Sequence, residues 1–163
     1  MKKMFLGAVA VVLSGICTIF SGCSPEPTPP QPQTRQKTAD PVWLTSMSQA
    51  QETARKENKV IFADFTGSDW CPWCVRLHDE VLDQAEFKEY AAKNLVLLLV
   101  DFPRKKGQTK EQRQANNELA QKYGIEGFPT ILILDANGKV LAKTGYRRGG
   151  ASAYVEHLKN ILK

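Results

Sequence analysis

The sequence contains little cysteine, and this scarcity narrows the roles that its thiols can take. Of four cysteines among 163 residues, Cys17 lies inside an apolar N-terminal run and Cys23 lies at its end. The rest of the chain then holds only Cys71 and Cys74. A disulfide between them closes a very short loop and stabilises the fold little. The pair is therefore better explained by chemistry than by cross-linking.

Histidine is scarcer still, with two residues, and this argues against a metal centre. The pattern C-x2-C-x3-H groups Cys71, Cys74 and His78, whereas a structural zinc site takes four ligands and His157 lies far along the chain. Haem attachment needs histidine directly after the second cysteine, where Val75 stands. We predict no metal and no bound cofactor, and expect His78 to be a surface or packed helix residue. A Cu(I) chaperone remains an alternative, because thiolates suit Cu(I).

The net charge of the chain is also small. The net charge is +5, and it becomes about +3 if two lysines leave with a signal peptide. A charge so weak and scattered does not indicate a nucleic-acid partner, so none is predicted.

The first 22 residues have the pattern of a signal peptide. Two lysines precede an uncharged apolar run that ends in small residues before Cys23. The sequence FSGC resembles a bacterial lipobox, which implies lipidation of Cys23 and an N-terminal membrane anchor. Phe20 departs from the usual leucine, which leaves cleavage without lipidation open. The run is also just long enough to be a spanning helix. We expect export to the periplasm.

A proline-rich linker is predicted over residues 23–41, because residues 24–41 contain six prolines and almost nothing apolar. The folded domain is predicted over residues 42–163. It alternates helix-like and strand-like segments, with a polar, basic loop at 103–110. Helices are predicted over 43–59, 72–93 (broken near Leu82-Asp83), 110–124 and 149–163. Strands are predicted over 60–65, over 95–102 as a central strand, and in a hairpin over 128–145 that turns at Asn137-Gly138.

The order of elements and the stretch TGSDWCPWC resemble the thioredoxin superfamily. A CxxC after the first major strand is the expected redox placement. The matching residues are Asp64 and Phe65, Trp70, Cys71 and Cys74, Pro129 in GFPT, and Gly145. More narrowly, DFTGSDWCxWC with downstream DFP and GFP is similar to the DsbH group of periplasmic disulfide reductases of chlamydiae. The resemblance implies an α/β thioredoxin fold, a mixed sheet of parallel strands and a C-terminal antiparallel hairpin, flanked by helices.

The resemblance implies roles for the two cysteines. Cys71, at a helix start, is expected to be the exposed attacking sulfur, and Cys74 the buried resolving one. No cation lies between them, which favours a reducing couple. Asp64 is the candidate proton acceptor for Cys74. It stands seven residues before Cys71, one more than in ordinary thioredoxins, so an ordinary strand-end aspartate is an equal alternative. Asp69 is expected to be a solvated loop residue.

The same resemblance implies a substrate groove. Pro129 stands where the family has a cis-proline, and the Phe128 backbone would pair with the substrate chain. Trp70 and Trp73 are predicted as an apolar rim, and Gly145 as a residue beside the groove. Arg147 and Arg148 either favour acidic substrates or belong to a solvated loop, which is the default interpretation. Arg104 to Lys106 either form a docking site or are solvated surface, which is the commoner meaning of such a run.

The predicted function is reduction or isomerisation of disulfides in periplasmic proteins, with a membrane electron donor that re-reduces the couple. A disulfide-forming oxidase and the Cu(I) chaperone are the alternatives that use the same cysteines. A non-catalytic adaptor needs neither the cysteine pair nor the proline opposite it, which argues against that class.

Overall fold

A computed structural model describes residues 40–163. The predicted signal peptide, the lipidation site Cys23 and most of the predicted linker lie outside these residues. The described part forms one five-stranded sheet in the order β1-β3-β2-β4-β5. The strands are β1 Trp43–Leu44, β2 Val60–Thr66, β3 Leu95–Asp101, β4 Thr130–Leu134 and β5 Val140–Thr144.

The sheet is mixed, as the sequence predicted. β2 pairs with β3 in parallel, and β4 lies antiparallel to β2. β5 completes an antiparallel hairpin with β4, through a turn in which the Asp135 carboxylate accepts hydrogen bonds from the N–H groups of Asn137 and Lys139. The fold is that of thioredoxin, with parallel strands on one side of β2 and the hairpin on the other.

Helices cover both faces of the sheet. They are α1 Met47–Glu57, α2 Pro72–Leu77, a π-helical turn His78–Leu82 (the π turn), α3 Ala85–Asn94, α4 Lys110–Lys122 and α5 Gly150–Ile161. Side chains of Ser46 and Thr109 cap α1 and α4, and Asn58, in the left-handed conformation, ends α1. Among residues 40–163, no helix combines the length and apolar character needed to cross a membrane.

The alternation of side chains along β2 decides which residues lie beneath α2. Ile61, Ala63 and Phe65 belong to the core on the α1 and α4 side. Phe62 belongs to the core on the other side, with residues of α2, the π turn, α3 and α5. Because successive side chains of a strand point to opposite faces, Asp64 shares the face of Phe62 and lies under α2.

The run predicted as a central strand is β3, which lies between β1 and β2 in the interior of the sheet, with β2 as the middle strand of the five. The structure corrects two details of the predicted elements. Trp43 and Leu44 form a short strand parallel to β3 instead of the start of a helix. The predicted break near Leu82-Asp83 is found, but the residues before it form a π turn, which the sequence did not indicate.

Candidate active site

Cys71 and Cys74 form a disulfide at the start of α2. Cys71 is the N-cap residue of α2, and the Cys74 N–H points to its sulfur at 3.3 Å. The Gly67 N–H lies 3.5 Å from the sulfur of Cys74. Cys71 is 5% exposed and Cys74 is fully buried. The expectation of an exposed Cys71 is therefore wrong in degree, because the opposing loop covers the sulfur, but Cys71 is the more accessible of the two.

The opposing loop approaches Cys71 through its backbone. The Phe128 carbonyl oxygen lies 3.7 Å from the Cys71 sulfur, and the Phe128–Pro129 peptide bond is cis. A side chain at Gly145 would place its Cβ 3.0 Å from the Pro129 carbonyl oxygen. The absence of a side chain at Gly145 therefore lets the end of β5 lie directly against the proline loop.

Trp70 is fixed on one side of the disulfide. Its indole N–H donates to the Phe102 carbonyl at 2.8 Å, and the ring meets Phe128 edge-on at 5.9 Å between centroids. The Arg104 guanidinium lies 3.7 Å above the same ring. Since three groups hold Trp70, it is part of the wall of the site and not a free rim.

Trp73 lies on the other side of the disulfide and is 48% exposed. Its ring is 5.3 Å from that of Tyr146. The Tyr146 hydroxyl donates to Glu80 at 2.7 Å, and Glu80 also pairs with Arg76. Val75, the next exposed apolar residue of α2, is 42% exposed. Trp73 thus offers an exposed apolar surface beside the cysteines, while Val75, two residues later in the helix, does not share its face.

Asp64 is fully buried beneath α2 and paired with a histidine. Its Oδ2 lies 3.0 Å from His78 Nε2, while its Oδ1 has no hydrogen-bond partner. Burial raises the pKa of Asp64, and the hydrogen bond and charge of His78 act in the opposite direction. His78 stands four residues after Cys74, so both side chains lie on one face of the helical segment. The pair therefore lies below the buried cysteine.

Three comparisons with known proteins place this site in a family. A family model described as a thioredoxin-like domain matches residues 47–159. Disulfide bond reductase DsbH of Chlamydia pneumoniae is 44% identical over 131 residues, which cover 80% of this chain and 79% of that protein. A solved structure described as DsbH oxidoreductase matches with a TM-score of 0.76 at 41% identity, covering 81% of this chain and 91% of the other. The chain belongs to the thioredoxin-like family. The fold and the resemblance predicted from the sequence are confirmed.

Further relatives share the domain but not the whole protein. Thiol:disulfide interchange protein DsbD of Colwellia psychrerythraea is 31% identical over 126 residues, covering 74% of this chain and 19% of that protein. A thioredoxin from Thermus thermophilus, at 14% identity and a TM-score of 0.56, shares the fold alone. With the Cys71–Cys74 disulfide in the CxxC position, these relatives make this thioredoxin-like chain a thiol–disulfide oxidoreductase.

Asp69 organises the basic loop beside the site of this thioredoxin-like chain. Its carboxylate accepts the backbone N–H groups of Arg104, Lys105 and Lys106 at 2.9, 2.7 and 2.8 Å. The hydrogen bond from Arg104, with those from the two lysines, lowers the pKa of Asp69 to about 2. Asp69 is a loop residue, as expected, but it also binds the backbone of a second loop, which the sequence did not indicate. Asp69 holds the loop that carries Arg104 over Trp70.

Two features of the site were missed from the sequence. The partnership of His78 with Asp64 spans two elements, and the only available signal was the spacing of four residues from Cys74. The hydrogen bonds from the second loop to Asp69 join two loops, and the only indication in the sequence was an acidic residue near a basic run.

Among residues 40–163, no group of three or more histidine, cysteine, aspartate or glutamate side chains has the geometry to hold a metal ion.

Proposed function

We propose that this chain reduces or isomerises disulfides of exported proteins, with Cys71 as the attacking sulfur and Cys74 as the resolving sulfur. The observation that carries the proposal is the disulfide at the start of α2, with the Phe128 carbonyl 3.7 Å from Cys71. Cys71 is the more accessible sulfur and receives the Cys74 N–H. This N–H group favours a thiolate at Cys71 in the reduced protein.

The proposed reaction transfers two electrons to the substrate. The Cys71 thiolate attacks one sulfur of a substrate disulfide, forms a mixed disulfide and releases the first substrate thiolate. Cys74 then loses its proton and attacks the Cys71 sulfur. The Cys71–Cys74 disulfide forms, and the second substrate thiolate leaves. Two thiols of this chain are oxidised while one substrate disulfide is reduced. In isomerisation, a substrate thiolate displaces Cys71 before Cys74 does.

Asp64 is proposed as the acceptor of the Cys74 proton. It is the fully buried carboxylate of β2, under the face of α2 on which Cys74 lies. Its raised pKa brings the carboxyl closer to that of a thiol, which favours proton transfer between them. Burial and the pairing with His78 support this role over that of an ordinary strand-end aspartate.

The surface around the cysteines supports a protein substrate. An extended substrate chain would run along the Phe128 backbone, while one of its apolar side chains covers Trp73, which is 48% exposed. Arg147 and Arg148 are exposed beyond Tyr146. Exposed basic side chains at the edge of such a site favour acidic segments in the substrate.

The finer cellular setting is part of the same proposal. Residues 1–22 would direct export to the periplasm, lipidation of Cys23 would anchor the protein, and residues 24–41 would hold the domain away from the membrane. A membrane protein that carries thiol electrons across the bilayer would re-reduce the couple. Fractionation of cells that produce the full chain or its Cys23→Ser variant tests the anchor. Membrane association of the former alone is expected, and equal distribution of both contradicts it.

A matched pair of variants tests the assignment of the two sulfurs. Cys74→Ser lacks the resolving sulfur and is expected to accumulate a mixed disulfide with a disulfide-containing protein substrate. Cys71→Ser lacks the attacking sulfur and is expected to accumulate little. Non-reducing gel electrophoresis and mass spectrometry measure both. The reverse pattern would mean that Cys74 attacks first, and equal trapping by both would contradict any division of roles.

A further inference from the structure

The pairing of Asp64 with His78 raises the question of how a proton reaches or leaves the buried carboxyl. Asp64 is fully buried, and its Oδ1 has no partner. Its Oδ2 meets His78 Nε2 at 3.0 Å, and the His78 side chain is 26% exposed. His78 therefore touches the buried acid on one side and solvent on the other.

Two ionisable groups near this pair are engaged elsewhere, whereas the buried hydroxyl of Thr66, two residues along β2, has no hydrogen-bond partner in the described part of the chain. The Tyr154 hydroxyl of α5 donates to the Gly145 carbonyl at 3.2 Å. The Asp101 carboxylate of β3 accepts from the N–H and hydroxyl of Ser68 at 3.0 and 2.6 Å. Among the described residues, His78 is the one hydrogen-bond partner of the Asp64 side chain.

The surroundings of His78 favour its protonated form. The ring faces Asp64 from β2, Asp79 and Asp83 from its own segment, and the Trp43 ring from β1 at 6.0 Å between centroids. Burial lowers the pKa of His78, but the hydrogen bond and charge of Asp64, with the charges of Asp83 and Asp79, raise it above its ordinary value. An imidazolium here opposes the effect of burial on the pKa of Asp64 and so favours the ionised carboxylate.

An ionised Asp64 matters because a protonated carboxyl cannot accept a proton. Without a cationic partner, burial holds such a group neutral well above its ordinary range. We infer that His78 is a positioning residue for the resolving step: it keeps Asp64 able to accept the Cys74 proton and releases a proton of its own to solvent in exchange. This inference rests on the proposed function, since it concerns the closure of the Cys71–Cys74 disulfide.

The proton balance of the proposed step is simple. The Cys74 S–H proton moves to Asp64, directly or through one water molecule. As Asp64 takes that proton, the imidazolium of His78 can release the proton of its second ring nitrogen to solvent, while Nε2 keeps the proton that it shares with Asp64 Oδ2. The pair ends with the same number of protons as at the start. One proton has left Cys74, and one proton from His78 has entered solvent.

Carboxyl titration tests the inference without reference to activity. The probe is the side-chain carboxyl of Asp64 in the oxidised chain, followed by carbon-13 nuclear magnetic resonance. His78→Gln keeps a hydrogen-bond donor but cannot carry a charge, so the pKa of Asp64 should rise relative to the unmodified chain. His157→Gln is the control, because His157 meets the Thr144 hydroxyl at 3.0 Å instead of an acid. An Asp64 titration that is identical in all three proteins overturns the inference.

Closure kinetics supply the second readout. Reduced protein is mixed with oxidised glutathione, and disulfide formation is followed by the change in tryptophan fluorescence. The glutathione concentration is raised until the observed rate no longer increases, so that closure of the disulfide by Cys74 is the rate-limiting step. His78→Gln should close at least about tenfold more slowly near pH 7, with the difference shrinking towards pH 9 as Asp64 ionises. A uniform effect at every pH, or a profile like that of His157→Gln, overturns the inference. If even the unmodified chain fails to form its disulfide, the proposed function fails and the inference fails with it. If the disulfide forms and reduces substrates but His78→Gln behaves like His157→Gln, the inference alone fails.

Discussion

The close contact of Gly67 with the Trp70 ring makes a small substitution informative. A Cβ at residue 67 would lie 2.5, 2.7 and 2.8 Å from three atoms of the Trp70 indole. Carbon atoms pack at about 3.5–4.0 Å, so Gly67→Ala must move the ring by roughly 1 Å. The ring is held by its hydrogen bond to Phe102 and by the Arg104 guanidinium. Loss of both, with the strain of overpacking, gives a cost of about 1–3 kcal/mol.

Urea unfolding of the oxidised chain measures this cost, and a double-mutant cycle identifies its cause. In a Trp70→Ala background the clash is gone, so Gly67→Ala should then cost less than about 0.5 kcal/mol. Gly107→Ala is the control, because a Cβ there meets nothing within 4 Å. An equal cost of Gly67→Ala in both backgrounds would refute the steric reasoning. A cost no larger than that of Gly107→Ala would refute it as well.

Three further predictions concern the interior, the surface and the helix of the site. Burial raises the pKa of Asp64, so its contribution to stability is present below about pH 4 and is lost as pH rises through the folded-state pKa. In Asp64→Asn, the free energy of unfolding in urea should therefore depend less on pH, and this variant should be the more stable protein near pH 8. Parallel curves of unfolding free energy against pH for the two proteins would contradict this. Trp73→Ala should slow the reduction of a disulfide-containing protein severalfold but leave the reduction of oxidised glutathione unchanged. The reason is that the Trp73 ring, 48% exposed, offers contact surface to a large substrate only. Equal effects on both substrates in a reductase assay would argue against a docking role. Leu77→Ala should lower the free energy of unfolding by about 2–5 kcal/mol, because Leu77 is the fully buried last residue of α2. A loss below about 1 kcal/mol in urea unfolding would contradict its place in the core.

Local chemistry explains why much of the fold is readable in the sequence. The Asn137-Gly138 turn and the buried run of β2 depend on near neighbours, and each lies where the sequence predicted it. The CxxC at the start of α2 is equally local, because a proline in the first turn favours a helix start directly after Cys71.

The features that the sequence did not reveal depend on contacts between distant segments. The local sequence around Trp43 is compatible with a helix, but Trp43 pairs with the edge of β3 and is therefore part of a strand. His78 pairs with a carboxylate fourteen residues earlier, and Asp69 binds backbone groups thirty-five to thirty-seven residues later. The sequence around each of these residues does not indicate which distant residue will be its partner in the fold.

Reduction of substrate disulfides is the central claim, and the reduction potential of the Cys71–Cys74 couple tests it most directly. The purified domain is equilibrated with glutathione buffers, and the fraction of oxidised protein is measured by thiol alkylation and mass spectrometry. A reductase is predicted to have a potential near that of thioredoxin, about −270 mV. A potential near about −120 mV, typical of a strong oxidant, would contradict the account and make the chain a donor of disulfides.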